Sequence, residues 1–136
     1  MKVTIDANIL FSALLRKGPT RKILFNPEIE LYDPRFLLTE FQKHSGFLLK
    51  RFGGNKEEFA ALCQTILSQV HFVQDKELQP FLPAAASMLQ DPKDWLYLAC
   101  SLKEDTLLWS NDKGFKKQSR VKVKTTAEMI ATTGML

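Results

Sequence analysis

The first nineteen residues constrain the fold of this chain more than any other segment. Lys2-Val-Thr-Ile5 is a short β-prone run that leads into Asp6, and the pattern from Asn8 to Arg16 is typical of a helix, which ends at Lys17-Gly-Pro19. A strand followed at once by a helix indicates the start of a βα unit. The Asp6 carboxylate is therefore predicted at the carboxyl end of a strand, where open α/β sheets bind their ligands.

The alternation of strands and helices continues along the sequence. Further strands are predicted at residues 30–32, 70–73, 106–110 and 121–125, and helices at 20–25, 35–51, 56–68, 92–103 and 126–132. Asp33-Pro34 is expected to close the second strand. Residues 78–89 are less regular, and their helix is expected to begin near Pro83. This order predicts the α/β class: a three-layer α/β/α domain with a central, mainly parallel, roughly five-stranded sheet, formed by residues 1–136 as a single domain.

The composition, and the absence of a predicted signal peptide or membrane span, narrow the class of protein. Hydrophobic residues make up 45% and charged residues 25% of the chain, which is typical of a globular protein. The net charge of +4 is compatible with a polyanionic partner without establishing one. Met1-Lys2 leads directly into a strand, and no apolar run is long enough for a bilayer, so we expect a cytoplasmic protein without a membrane partner. Cys63 and Cys100 lie in predicted helices without CxxC spacing and are expected to be buried free thiols.

Four acidic residues fall where the predicted topology gives them a common location. Asp6 and Asp112 each follow a strand, and the carboxyl ends of parallel strands share one edge of the sheet. Asp94 lies in the first turn of the helix that Asp91 opens, where the helix dipole favours a negative charge. Glu40 lies about a turn and a half into the third helix among mostly apolar neighbours, where an unpaired charge is unfavourable.

The chemistry of such a group of acids indicates a bound cation. Mg²⁺ and Mn²⁺ prefer carboxylate oxygens and water as ligands, whereas zinc sites usually include histidine or cysteine. A cation bound there would polarise a phosphate, lower the pKa of a coordinated water and stabilise the leaving oxygen. Without a cation, the acids would repel one another and any polyanionic partner. The sequence therefore predicts a Mg²⁺ or Mn²⁺ site at this edge of the sheet.

At these residues the chain resembles the PIN-domain nucleases. The matching segments are Val3-Thr-Ile-Asp-Ala-Asn-Ile-Leu10, Leu38-Thr-Glu-Phe41, Asp91-Pro-Lys-Asp-Trp-Leu-Tyr-Leu-Ala99 and Leu108-Trp-Ser-Asn-Asp-Lys-Gly-Phe115. Their order and spacing span nearly the whole chain. The last two segments are the most specific, because a helix opened by an aspartate and followed by a strand ending in Ser-Asn-Asp rarely arises by accident.

The resemblance assigns roles to individual residues. It implies that the catalytic residues and the metal ligands are the same four acids, namely Asp6, Glu40, Asp94 and Asp112. Ser110 matches a small hydroxyl residue that can hydrogen-bond an acid or a bound water, and Asn8 is a candidate to orient Asp6 or to tie down the first turn. Asp91 is either a further acid of the site or only a helix cap. Gly114 stands where some members carry another acid, which would leave a second metal weakly held.

The resemblance also implies an activity and partners. The expected activity is that of a metal-dependent endoribonuclease, a hydrolase in which metal-activated water attacks the phosphodiester in line and leaves a 5′-phosphate and a 3′-hydroxyl. Many small bacterial and archaeal members are VapC-like toxins paired with antitoxins, and many dimerise. An RNA substrate, an antitoxin partner and a homodimer or higher oligomer are therefore expectations for this chain.

A basic run follows Asp112 in the sequence. It begins with Lys113, Lys116, Lys117 and Arg120 and continues with Lys122 and Lys124. Such a run is either a solvated face or a track that leads RNA phosphates to the metal. The two histidines, His44 and His71, are not expected to be ligands.

Two other functions compete with the nuclease. The main alternative is a catalytically silent PIN-like module that binds RNA or a protein. A phosphotransfer or phosphatase-type α/β enzyme also places aspartates at strand ends, but it often carries a second aspartate where this chain has Asn8. RNA cleavage that depends on Mn²⁺ or Mg²⁺ would distinguish the nuclease from both alternatives.

Overall fold

A computed structural model describes residues 1–134 of the protein. Its five strands are β1 (Lys2–Ile5), β2 (Glu30–Pro34), β3 (Val70–Val73), β4 (Leu107–Trp109) and β5 (Val123–Lys124). They form one sheet in the order β3-β2-β1-β4-β5, and all neighbouring strands are parallel. The predicted α/β class and parallel sheet are confirmed. Because the connections run in opposite directions on the two sides of β1, the sheet has its topological switch point between β1 and β4.

The helices connect these strands. They are α1 (Ala7–Leu15), α2 (Pro19–Leu24), α3 (Phe36–Phe52), α4 (Lys56–Leu67), α5 (Asp75–Leu78), α6 (Leu82–Met88), α7 (Pro92–Glu104) and α8 (Thr126–Thr133), with 3-10 turns at Gln79–Phe81 and Lys113–Lys117. Side-chain caps fix several starting points: Asn55 accepts a hydrogen bond from the Glu58 N–H at 2.7 Å at the start of α4. Pro92 occupies the first turn of α7, where its missing N–H is not needed.

The second strand continues further than the sequence predicts. Asp33-Pro34 was expected to close it, but both residues belong to β2 and pair with Phe72 and Val73 of β3. Asp33 remains in the strand because its side chain accepts a hydrogen bond from the Ile5 N–H of β1 at 3.0 Å. A side chain thus takes the place of a backbone acceptor between β1 and β2.

The fifth strand is shorter than predicted. The range 121–125 was expected, but only Val123–Lys124 is strand. The Gln118 side chain donates to the carbonyl oxygens of Phe115 and Val121 and accepts from the Val121 N–H at 2.8 Å. These bonds hold residues 118–121 in a closed loop. The pairing of β5 with β4 therefore begins only after residue 121.

The core on both sides of β1 and β4 fixes the strand ends. Val3, Ile5, Leu108 and Trp109 have no exposed surface, and Leu98 of α7 is equally buried. Full burial of a side chain of this size contributes about 1.5–3 kcal/mol to stability. The residues that directly follow β1 and β4 are therefore held in place by well-packed strands.

Two further expectations concern the thiols and the membrane. Cys63 and Cys100 are buried and free, as expected. Burial raises the pKa of the Cys63 thiol to about 11, so this thiol is protonated at neutral pH. Within residues 1–134, no helix combines the length and the apolar character needed to cross a membrane.

Candidate metal centre at the switch point of the sheet

A cleft opens at the carboxyl edge of the sheet, beside the switch point. It contains a cavity of about 210 Å³ whose lining includes all four predicted catalytic acids, Asp6, Glu40, Asp94 and Asp112, together with Asn8, Phe11, His44, Asp91, Lys93 and Tyr97. A neighbouring cavity of about 390 Å³ shares Asp91, Asp94 and Asp112 with the first and extends to Gln90, Gly114 and Lys117. Residues far apart in the sequence thus meet in one cleft.

Asp6 is the most buried of the four acids. It is the N-cap of α1: its Oδ1 accepts a hydrogen bond from the Ile9 N–H at 3.0 Å, and its Oδ2 accepts one from the Ser110 hydroxyl. Burial raises the pKa of Asp6, the hydrogen bonds from Ser110 and Ile9 lower it, and the charges of Asp112 and Glu40 raise it further. A nearby cation would reverse this upward shift.

Ser110 links the two strand ends of the site. Its hydroxyl donates to Asp6, and its oxygen accepts a hydrogen bond from the Asp112 N–H at 3.0 Å. Asp112 Oδ1 in turn accepts from the Gly114 N–H at 2.9 Å. A Cβ at position 114 would lie 3.2 Å from that oxygen, so the absence of a side chain allows the close turn.

Asp94 lies in the first turn of α7, as the sequence predicts. Asp91 is the N-cap and accepts a hydrogen bond from the Lys93 N–H at 3.0 Å, which gives it a structural role whether or not it binds a ligand. The pKa of Asp94 is raised to about 6, first by burial and then by the charges of Asp91, Asp112, Asp6 and Glu40. The acids are thus close enough to disfavour one another's charge.

Glu40 has a partner that the sequence did not indicate. The hydroxyl of Tyr97, a residue with only 2% of its surface exposed, donates a hydrogen bond to Glu40 Oε1 at 3.0 Å. Tyr97 follows Asp94 by three residues, so α7 carries both side chains on one face. This spacing is the signal that could have identified Tyr97. Burial raises the pKa of Tyr97, and Glu40 raises it further, so the phenol remains a donor.

A further carboxyl group lies beneath the cleft and was not predicted from the sequence. Asp33 is completely buried; Oδ1 accepts from the Ile5 N–H, and among the described residues its Oδ2 has no hydrogen-bond partner. Burial raises the pKa of Asp33 well above its ordinary value, and the charge of Asp6 adds to the shift. Because the pair Asp-Pro is typical of a turn, the sequence pattern does not indicate that Asp33 is buried in a strand.

The cations of the basic run do not share one location. Lys117 lines the larger cavity beside the acids, whereas Lys116 forms an ion pair with Glu128 of α8. Arg120 and Lys122 line a different cavity beside Leu107, at the opposite edge of the sheet. Lys113 is exposed at the start of the 3-10 turn. The chain returns to the start of β5 after Lys117, and this return separates Arg120 from the cleft.

Besides Tyr97, three further cleft residues were not proposed for the site from the sequence. Lys93 follows the cap of α7 and places a cation beside the acids. Phe11 and His44 meet edge to face with ring centroids 5.4 Å apart, and both line the cavity. His44 lies one helical turn after Glu40, a spacing that brings both side chains to the same face of α3.

The acids fit a hard divalent cation by their chemistry. Within residues 1–134, no group of three or more histidine, cysteine, aspartate or glutamate side chains is already arranged as a metal-ligand cluster. The donors are nevertheless carboxylates in a partly buried cleft, where burial and, in addition, mutual repulsion raise the pKa of Asp6 and Asp94. A bound Mg²⁺ or Mn²⁺ would offset that repulsion, and both ions prefer these oxygens.

The fold and the cleft define an α/β protein with an acidic pocket at the switch point of a parallel sheet. The sequence model of the PIN domain matches residues 4–133, and the chain belongs to the PIN-domain family. Members of this family are generally nucleases. No curated protein sequence matches the chain.

Solved structures share the fold at low sequence identity. A chain from VapBC2 of Rickettsia felis, bound to a DNA fragment from the promoter, aligns with a TM-score of 0.70 and 14% identity, covering 92% of this chain and 98% of that one. A chain from VapBC-1 of nontypeable Haemophilus influenzae aligns with a TM-score of 0.67 and 14% identity, covering 93% and 99%. At this identity, the likeness establishes the fold alone.

Proposed function

We propose that the protein is a metal-dependent endoribonuclease that hydrolyses RNA phosphodiester bonds. The observation that carries the proposal is that Asp6, Glu40, Asp94 and Asp112 line one cleft, although two of them lie in different helices and two in the loops that follow β1 and β4. Burial and, in addition, the charges of the neighbouring acids raise the pKa of Asp6 and Asp94, as expected for a site that binds a cation. These four acids would hold Mg²⁺ or Mn²⁺, which when bound supplies phosphate polarisation and an activated water.

The other residues of the cleft prepare the acids and the substrate. Ser110 holds Asp6 and the backbone of Asp112 together through its one hydroxyl group. Lys93 lines one and Lys117 the other of the two cavities that share Asp94, so each cavity has a cation as well as acids in its lining. We infer that a single RNA strand crosses the cleft between these lysines, which neutralise phosphates flanking the scissile bond.

A toxin-antitoxin role is the finer form of this proposal. The two solved neighbours belong to VapBC assemblies, and their chains align with this one over nearly their full length. We therefore propose an antitoxin protein as partner. From the family resemblance we also propose a homodimer or higher oligomer as the functional unit, in a cytoplasmic setting. That residues 1–136 form a single domain remains a prediction.

The experiment that tests the nuclease compares RNA cleavage in Mn²⁺, Mg²⁺ and EDTA. We expect wild type to cleave single-stranded RNA only with a divalent cation, and Asp94→Asn to lose activity. Asp105→Asn is the matched control, because it makes the same change at the exposed C-cap of the same helix. Cleavage in EDTA, or undiminished cleavage by Asp94→Asn, would refute the mechanism. A folded protein that binds RNA, but does not bind Mn²⁺ and does not cleave RNA, would establish the silent module instead.

A further inference from the structure

The hydrogen bond between Tyr97 and Glu40 joins two helices across the cleft. Tyr97 is almost fully buried in α7, and its ring contacts Phe36 edge to face with centroids 5.8 Å apart. Its hydroxyl donates to Oε1 of Glu40, a partly exposed side chain on α3. A well-packed aromatic ring therefore holds one oxygen of a side chain that otherwise has considerable rotational freedom.

The energetic consequence concerns mainly Glu40. A glutamate loses side-chain entropy when it becomes fixed, because its side chain is long and flexible. A tyrosine has few rotatable bonds, and Tyr97 is already held by packing, so its hydroxyl is a preorganised donor. A carboxylate that is fixed before a ligand arrives has less order to gain on binding. The second oxygen of Glu40, Oε2, does not take part in this bond.

We propose that Tyr97 is a positioning residue that orders Glu40 for cation binding. The inference rests on the proposed function, since it requires that the cleft binds Mg²⁺ or Mn²⁺. Residues that hydrogen-bond to metal ligands typically change metal affinity by about 10–100-fold when they are replaced. Because Glu40 is one of four acids, we expect Tyr97→Phe to weaken Mn²⁺ binding by about tenfold, at the lower end of that range.

A purely structural role for Tyr97 makes a different prediction. If Glu40 merely satisfies a buried hydroxyl, loss of that hydroxyl leaves the cation affinity unchanged. If Tyr97 acts through Glu40, its effect on affinity must depend on the Glu40 carboxylate. Glu40→Gln keeps a carbonyl oxygen that can accept from Tyr97 but removes the charge. A double-mutant cycle over these two positions therefore separates the two roles.

The test measures Mn²⁺ binding by isothermal titration calorimetry, without RNA, on the full chain. Four proteins form the cycle: wild type, Tyr97→Phe, Glu40→Gln and the double variant. Tyr32→Phe is the matched control, because it removes the hydroxyl of the other tyrosine, which stacks on His71 of the neighbouring strand. Thermal unfolding in EDTA verifies that each variant is folded.

We expect Tyr97→Phe to bind Mn²⁺ about tenfold more weakly than wild type and to lose no further affinity in the Glu40→Gln background. Tyr32→Phe should bind like wild type. Unchanged affinity of a folded Tyr97→Phe, or an equal loss in both backgrounds, would overturn this inference while the proposed function stands. A wild type that binds no Mn²⁺ would overturn both.

Discussion

Asp33 should make the protein less stable as the pH rises. Its carboxyl group is fully buried beneath the cleft, and the pKa of this group is raised well above its ordinary value, chiefly by burial. The unfolded chain therefore releases the proton near pH 4, whereas the folded chain retains it to a much higher pH. Because the folded state binds the additional proton, the stability that Asp33 contributes is fully present below pH 4 and falls as the pH rises.

The magnitude follows from proton linkage. One proton held by the folded state alone changes the free energy of unfolding by about 1.4 kcal/mol per pH unit. Asp33→Asn removes the titration but keeps an oxygen that can accept from the Ile5 N–H. The new amide NH₂ takes the place of Oδ2, which has no partner among the described residues. The cost of that unpaired donor, about 1–3 kcal/mol, does not vary with pH.

The assay is urea unfolding of wild type and Asp33→Asn in EDTA at several pH values from 4 to 8. The stability of Asp33→Asn relative to wild type should rise by about 1.4 kcal/mol per unit above pH 4, until the folded-state pKa is reached. Asp75→Asn is the control, since it makes the same change at a residue that is exposed in the folded chain. Parallel curves for Asp33→Asn and wild type would refute the reasoning, because Asp33 would then titrate alike in both states.

Three further predictions follow from single contacts. Ser110→Ala leaves an oxygen of buried Asp6 without its donor and should lower the free energy of unfolding by about 1.5–3 kcal/mol, measured by urea unfolding, and reduce cleavage. Lys117→Ala should reduce the slope of log affinity for RNA against log salt concentration by about 1 in a metal-free binding assay, whereas Lys116→Ala, whose cation is paired, should change it less. Asn55→Ala removes the N-cap of α4 and should cost about 1 kcal/mol in thermal unfolding without affecting Mn²⁺ affinity.

The parts of the site that follow strands could be predicted from the sequence. Asp6 and Asp112 come after runs whose β character is evident, and parallel strands end at one edge. The position of Asp94 could be predicted for a similar reason, because Asp91-Pro92 is a strong start signal for a helix. In these cases a local pattern and one topological rule determine the position.

The remaining parts depend on contacts between distant elements. The bond from Tyr97 to Glu40 joins residues 57 positions apart, and only the packing of α7 against the elements around it brings the two together. Asp33 was misassigned because Asp-Pro normally indicates a turn, whereas its side chain here accepts a strand N–H. Arg120 is close to Asp112 in the sequence, but the return of the chain to β5 takes it to the other edge of the sheet.

The most direct test of a shared cation site in this cleft is anomalous scattering from crystals grown with Mn²⁺. The account predicts an anomalous peak in the cleft, with carboxylate oxygens from Asp6, Asp94 and Asp112 at coordination distance, about 2.0–2.6 Å, or one bound water away. The same crystals of Asp94→Asn should show a weaker peak or none. A folded wild-type protein whose cleft shows no peak at saturating Mn²⁺, or a peak only elsewhere on the molecule, would contradict the account.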